Sequence, residues 1–159
     1  MNRFKWLALV LGLMIATATS LAADRDPLLG SWRLVAYERE FQSGGEREYP
    51  MGRAPTGYIH FLSDGRMAVV ITGEGRTTPT TDQERAGLFN TMVAYAGRYR
   101  VEGDQWITIV DASANPALVG TEQPRSFRIA GDRLQEVTGW MKRPDSRMAR
   151  GVLTYERAR

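Results

Sequence analysis

With 159 residues, a formal net charge of +3 and no cysteine, the chain has the length of one domain and cannot form disulfide bonds. His60 is the only histidine, and the acidic residues are scattered, so we expect no metal site. Without Arg3 and Lys5 of the N-terminal segment, which contains no acidic residue, the net charge is +1. The remaining arginines alternate with acidic residues, so we expect no nucleic-acid partner.

Residues 1–22 have the features of a secretory signal peptide. Two basic residues precede a short apolar run at 6–18, and small residues follow at positions 20 and 22, which a signal peptidase reads. The alternative, a membrane anchor, needs an apolar run of about 20 residues, which is longer than this one. We therefore expect cleavage after Ala22, a domain over 23–159, a periplasmic or secreted location, and no stable membrane anchor after cleavage.

Three tight-turn signals separate runs of β-branched and aromatic residues: Asp64-Gly65, Gly103-Asp104 and Gly131-Asp132. Glycine next to aspartate supplies the positive φ that hairpin turns require. The predicted strands span residues 30–41, 57–63, 66–72, 97–102, 106–111, 123–129, 133–140 and 151–157. About eight strands in one all-β domain favour an antiparallel up-and-down barrel, which leaves no exposed sheet edge.

One segment breaks the strand pattern. Thr81 and Glu84 fit a capping box, which marks a helix start. The pattern predicts a short helix over 82–95, with apolar residues at helical spacing: Leu88, Phe89, Met92, Val93 and Ala96. We expect this helix to cover one barrel end, and a partner-binding helix is the alternative. The long loop 42–56 is either a portal or a slack connection.

Gly30-Ser31-Trp32 begins the first predicted strand. Trp32, Leu34 and Ala36 share one strand face, and Leu153, Tyr155 and Arg157 share a face of the last strand. If both faces point inward, Arg157 stacks on the Trp32 indole as a cation–π pair. We expect this pair to be a structural clasp that closes the barrel floor.

His60 shares a strand face with Tyr58. If Asp64-Gly65 are the two turn residues, that face continues onto Met67, Val69 and Ile71, and His60 lies among apolar neighbours. A packed, hydrogen-bonded histidine is one interpretation. The other is a general base, with Tyr58 or Tyr95 donating a hydrogen bond to the developing oxyanion.

Aromatic side chains with polar groups are typical of small-molecule pockets and also of ordinary strand packing. The candidate ligand-binding residues are Tyr58, His60, Tyr95, Arg98, Trp106 and Trp140. No serine has the context of a hydrolase nucleophile. Gly73-Glu74-Gly75 is too short for a dinucleotide fingerprint and precedes no helix, so we expect no cofactor.

Eight short motifs, in order along the chain, carry a resemblance to a known family: LGSWRL at 29–34, PTGYI at 55–59, SDGRM at 63–67, AYAGRY at 94–99, VGTEQ at 119–123, RSFR at 125–128, GDRL at 131–134 and LTYER at 153–157. Together they resemble the bacterial lipocalin-like domain family of the calycin group. The resemblance implies a small antiparallel barrel with a helix insert and a small, largely apolar ligand. It also implies an arginine across the Gly-x-Trp indole, here Arg157.

Three functions remain open at this stage. The first is an exported carrier that binds a small apolar or aromatic molecule. The second is a barrel enzyme, an isomerase or cyclase that transfers a proton on an apolar metabolite. The third is a protein-binding or inhibitor module with a filled core, which the apolar run MAVVITG at 67–73 favours. Composition and patterning do not determine the oligomeric state.

Overall fold

Eight long strands close into one antiparallel barrel in the computed structural model, which describes residues 26–159. These eight strands are β1 (Gly30–Phe41), β2 (Thr56–Phe61), β3 (Arg66–Thr72), β4 (Met92–Glu102), β5 (Gln105–Ser113), β6 (Glu122–Ala130), β7 (Arg133–Thr138) and β9 (Met148–Arg157), and a ninth strand, β8 (Met141–Lys142), has two residues. A helix, α1 (Asp82–Asn90), and a 3₁₀ turn, Pro116–Leu118, complete the chain. The predicted signal peptide, 1–22, lies outside the described residues.

Each strand from β1 to β7 pairs with the next, and β9 closes the barrel between β7 and β1. The two-residue strand β8 pairs with β9 beside it. Gly65, Gly103 and Gly131 have φ of +79°, +61° and +59°, the conformation that the three hairpin turns require. The prediction of an all-β, eight-stranded up-and-down barrel is confirmed.

The helix is present but shorter than predicted. Its capping box forms, because the Thr81 hydroxyl accepts from the Glu84 amide and the Glu84 carboxylate accepts from the Thr81 amide. The helix ends at Asn90, however, and the chain from Met92 to Ala96 belongs to β4, where it pairs with β3. Strand pairing outweighs the helical spacing there. No residue of α1 is buried, so the helix is not a plug.

The β2–β3 hairpin corrects the predicted position of His60. Phe61 pairs with Met67, which leaves a loop one residue longer than the predicted two-residue turn, with Gly65 in the left-handed conformation. A shift of one residue moves every side chain to the other face of a strand. His60 therefore pairs with Ala68 and faces outward, whereas the core face joins Ile59 and Phe61 to Met67.

A bulge in β1 has a similar effect. Trp32 and Leu34 face inward as expected, but the register with β9 shifts between Leu34 and Ala36. After the shift Tyr37 pairs with Leu153 and packs against the core, in place of Ala36. Bulges redirect side chains in this way. The expectation that Ala36 shares the inward face of Trp32 is therefore wrong.

The barrel interior has two unlike halves. The half next to the β2–β3 turn is filled by fully buried side chains: Trp32, Phe61, Met67, Trp106 and Leu134. Phe61 packs edge-on against Trp106, with ring centroids 5.2 Å apart. At the opposite end Met51 brings loop 42–56 into the core, so this loop is anchored. Among residues 26–159 no helix has the length and apolar character that a membrane crossing requires.

Candidate ligand-binding site

The Trp32 end of the barrel is sealed. The Arg157 guanidinium carbon lies 4.0 Å from the centre of the Trp32 ring, and the indole donates a 2.8 Å hydrogen bond to the Leu28 carbonyl. Arg157 also donates to the carbonyls of Leu29 and Pro27, at 2.9 and 3.1 Å. The segment that precedes β1 thus lies across this end of the barrel. A ligand must reach the interior from the other end.

A cavity of about 210 Å³ occupies the interior near that other end. Its lining combines apolar side chains with three tyrosines and one charged pair: Tyr37, Val69, Ile71, Val93, Tyr95, Leu118, Gln123, Arg125, Glu136, Thr138, Met141, Leu153 and Tyr155. Inward positions of β1, β3, β4, β6, β7 and β9 supply most of these side chains. A mostly apolar cavity with a few converging polar groups is typical of a small-molecule site.

The polar part of the cavity centres on Glu136. Its Oε1 accepts from Arg125 Nε at 3.1 Å and its Oε2 accepts from the Tyr155 hydroxyl at 2.9 Å. Arg125 also donates to Gln123 Oε1 at 3.3 Å and to the Pro124 carbonyl at 2.8 Å. Arg125 and Glu136 lie on neighbouring strands, on the inward face. Because the pair is nearly enclosed, loss of either partner would leave the other charge buried and uncompensated.

Burial shifts the titration of these groups. It raises the pKa of the Glu136 carboxyl, and the Arg125 charge and the Tyr155 hydrogen bond partly oppose that rise. Burial also raises the pKa of Tyr95 to about 12, an effect that the neighbouring Arg125 charge reduces. The pKa values of Tyr37 and Tyr155 are raised chiefly by burial as well. All three phenols therefore keep their hydrogens at neutral pH.

Of the six predicted ligand-binding residues, Tyr95 lines the cavity. His60 and Tyr58 lie together on the outer face of β2, with their rings stacked 6.0 Å apart. His60 Nδ1 forms a 2.8 Å hydrogen bond with the Ser31 hydroxyl. The predicted combination of His60, Tyr58 and Tyr95 is thus divided between the two sides of the barrel wall. His60 cannot act as a base on a molecule inside the cavity.

The other three predicted residues also lie away from the cavity. Arg98 is on the outer face of β4, within 4.0 Å of Asp111. Trp106 is fully buried in the filled half of the core. Trp140 is partly exposed, with the Arg150 guanidinium 4.5 Å from its ring centre.

The other cavity residues are not among the predicted binding residues, and they include Tyr37, Arg125, Glu136 and Tyr155. For the charged pair a signal exists, because Arg125 shares a strand face with Phe127, and Glu136 shares one with Leu134. An opposite-charge pair on the apolar face of one hairpin indicates buried polar chemistry. Among the described residues no three histidine or acidic side chains cluster closely enough to hold a metal ion.

The model of the family described as lipocalin-like domain matches residues 29–158. The chain belongs to the lipocalin-like domain family. The match covers the whole barrel, and the resemblance seen in the eight motifs is confirmed. Lipocalin-like barrels generally bind small hydrophobic ligands. A comparison with curated proteins found none that matches the chain.

Proposed function

We propose that this lipocalin-like protein is an exported carrier that binds one small, largely apolar molecule inside its barrel. The observation that supports the proposal is the cavity of about 210 Å³ above a filled floor. An apolar cavity of about 150 Å³ accommodates benzene. The cavity here therefore has room for one such ring with a short substituent, and transfer of apolar surface from water supplies the driving force.

The lining also indicates how a ligand enters. A surface groove of about 250 Å³ beside α1 shares Val93 and Leu118 with the cavity. Phe89 lines the groove and Met141 lines the cavity, and both side chains are exposed and apolar. An apolar path from the surface to the interior lowers the cost of moving an apolar molecule inside. We place the portal here and not at loop 42–56.

The cavity supports binding over the two alternative functions. An isomerase or cyclase needs a free base next to the ligand, and His60 lies on the outer wall. The Glu136 carboxylate is held by Arg125 and Tyr155, so it is committed to the charged pair. A protein-binding module with a filled core has no use for an interior cavity.

The test blocks the cavity with a large side chain at its proposed entrance. Val93→Trp places an indole in the space that Val93 now borders, while Val70→Trp makes the same change on the exposed outer face of the adjacent strand. We expect cumene, a small aromatic hydrocarbon, to raise the melting temperature of the wild type and of Val70→Trp but not of Val93→Trp. If cumene and a panel of similar compounds stabilise none of the folded proteins, the proposal is wrong.

Export is tested separately. The order of basic, apolar and small residues in 1–22 supports it. We expect the full chain, expressed in a bacterium, to appear in the periplasm or medium with the intact mass of residues 23–159. An uncleaved protein that stays in the cytoplasm would contradict the export part of the proposal and leave the binding part standing.

A further inference from the structure

The charged groups of the cavity cancel each other. Among residues 26–159, Arg125 and Glu136 are the only charged side chains that line the cavity, and they are in contact. An anionic ligand that approaches Arg125 meets the Glu136 carboxylate, and a cationic ligand that approaches Glu136 meets the guanidinium. Either ion would also lose its hydration on entry, which is costly without a free counter-charge. The lining therefore favours an uncharged ligand.

The strong hydrogen-bonding atoms of this pair are also committed within the protein. Each Glu136 oxygen already accepts a hydrogen bond, and three of the five N–H groups of Arg125 donate to Glu136, Pro124 and Gln123. The Tyr155 hydroxyl donates its hydrogen to Glu136. A ligand gains little by competing with these contacts, since breaking them would leave buried groups unpaired. A polar contact with another residue of the lining breaks none of these bonds.

Tyr95 is placed to make such a contact. Its side chain is buried, lines the cavity, and lies next to the Arg125 guanidinium. A guanidinium carries donors only, so the phenol oxygen faces it as an acceptor. The Tyr95 hydrogen is then left to donate into the cavity. Tyr37 brings a second phenol to the same space and feels the same two charges.

On the basis of the proposed function, we infer that the ligand is a neutral molecule with a carbonyl-type acceptor oxygen, which Tyr95 binds by donating its phenol hydrogen. The apolar lining of β3, β4 and β9 holds the hydrocarbon part, and the cavity volume limits that part to about one substituted ring. The relevant class is thus small ketones, esters, lactones or amides without a free acid or amine.

Three probes of matched shape test the inference: acetophenone, cumene and benzoate. They carry a ketone, a hydrocarbon branch and a carboxylate on the same ring. Because the probes differ in hydration, the measurement is how Tyr95→Phe changes the affinity of each probe. We expect Tyr95→Phe to weaken acetophenone about two- to tenfold, the value of one hydrogen bond, and to leave cumene unchanged. Tyr58→Phe, the same change on the outer wall, should alter neither.

The outcomes separate the inference from the proposed function. If neither acetophenone nor cumene binds the wild type, both fail. If both bind and Tyr95→Phe affects them equally, the inference is wrong and the binding function stands. Benzoate that binds more tightly than acetophenone at neutral pH would also overturn it.

A spectroscopic measurement guards against an indirect effect of the substitution. We expect the carbonyl stretch of bound acetophenone to lie at lower frequency in the wild type than in Tyr95→Phe. Equal frequencies in the two complexes would contradict a hydrogen bond from Tyr95.

Discussion

Replacing Arg125 by methionine tests the buried charged pair most directly. The substitution keeps an unbranched side chain but removes the counter-charge of Glu136, whose side chain is only 6% exposed. Breaking a buried pair by removing one member costs about 3–5 kcal/mol, because an uncompensated charge stays behind. For a domain of this size that loss lowers the melting temperature by roughly 10–20 °C. Arg133→Met, on the exposed outer face, should change it little.

The cost should depend on pH. Burial already raises the pKa of Glu136 in the folded protein, and loss of the Arg125 charge raises it further. An unfolded glutamate has a pKa of about 4.3. Between that value and the higher pKa of the folded state, Glu136 is protonated when the protein is folded and ionised when it is unfolded. Stability therefore falls as pH rises above the pKa of the unfolded state, and it recovers as the pH is lowered from 7 towards 5.

Urea unfolding at pH 7 and pH 5 measures both effects. We expect Arg125→Met to lose much more stability at pH 7 than at pH 5, relative to the wild type. Adding Glu136→Gln to Arg125→Met removes the stranded charge, so the double variant should regain stability at pH 7 and lose the added pH dependence. An unchanged midpoint at pH 7, or a penalty that is the same at both pH values, would refute the account of a buried carboxylate held by Arg125.

Two further substitutions test the clasp and the barrel wall. Trp32→Ala should lower the free energy of unfolding by about 3–5 kcal/mol, since it empties a fully buried site, while the exposed Trp140→Ala should cost far less; equal urea midpoints would contradict the clasp. Gly97→Ala should prevent normal folding, because the added Cβ would collide with the Ile109 carbonyl oxygen. Gly87→Ala, in the exposed helix with open space around it, should retain or slightly raise the melting temperature.

Local patterns predicted the fold because they act over a few residues. Positive-φ glycines define the three hairpin turns, and the contacts between Thr81 and Glu84 mark the helix start. The prediction that His60 faces the apolar side of its strand was wrong for a different reason. It depends on whether the β2–β3 loop holds two or three residues, and Ser63-Asp64-Gly65 is compatible with both turns. A single residue in that loop decides which side of the wall the side chain occupies.

The site was less predictable because its parts depend on distant pairings. Tyr37 reaches the cavity only through the bulge in β1, which arises from pairing with β9. The sequence of β1 alone shows no sign of that bulge. Arg125 and Glu136, in contrast, follow ordinary strand alternation, so the sequence pattern alone places both charges on inward faces. Aromatic character alone does not separate a pocket residue from a core residue such as Trp106.

The position of β9 between β7 and β1 has a consequence for how the molecule forms. The other strand pairs join strands that lie close together in the sequence, but β1 and β9 come from opposite ends of the barrel domain, and Arg157 bonds to Leu29 over 128 positions. Such distant contacts make folding slow, because a long loop must close before they stabilise anything. Without β9 in place, the sheet would be an open ribbon whose unpaired edges are β1 and β7. Slowing the docking of β9 would leave both edges available for aggregation.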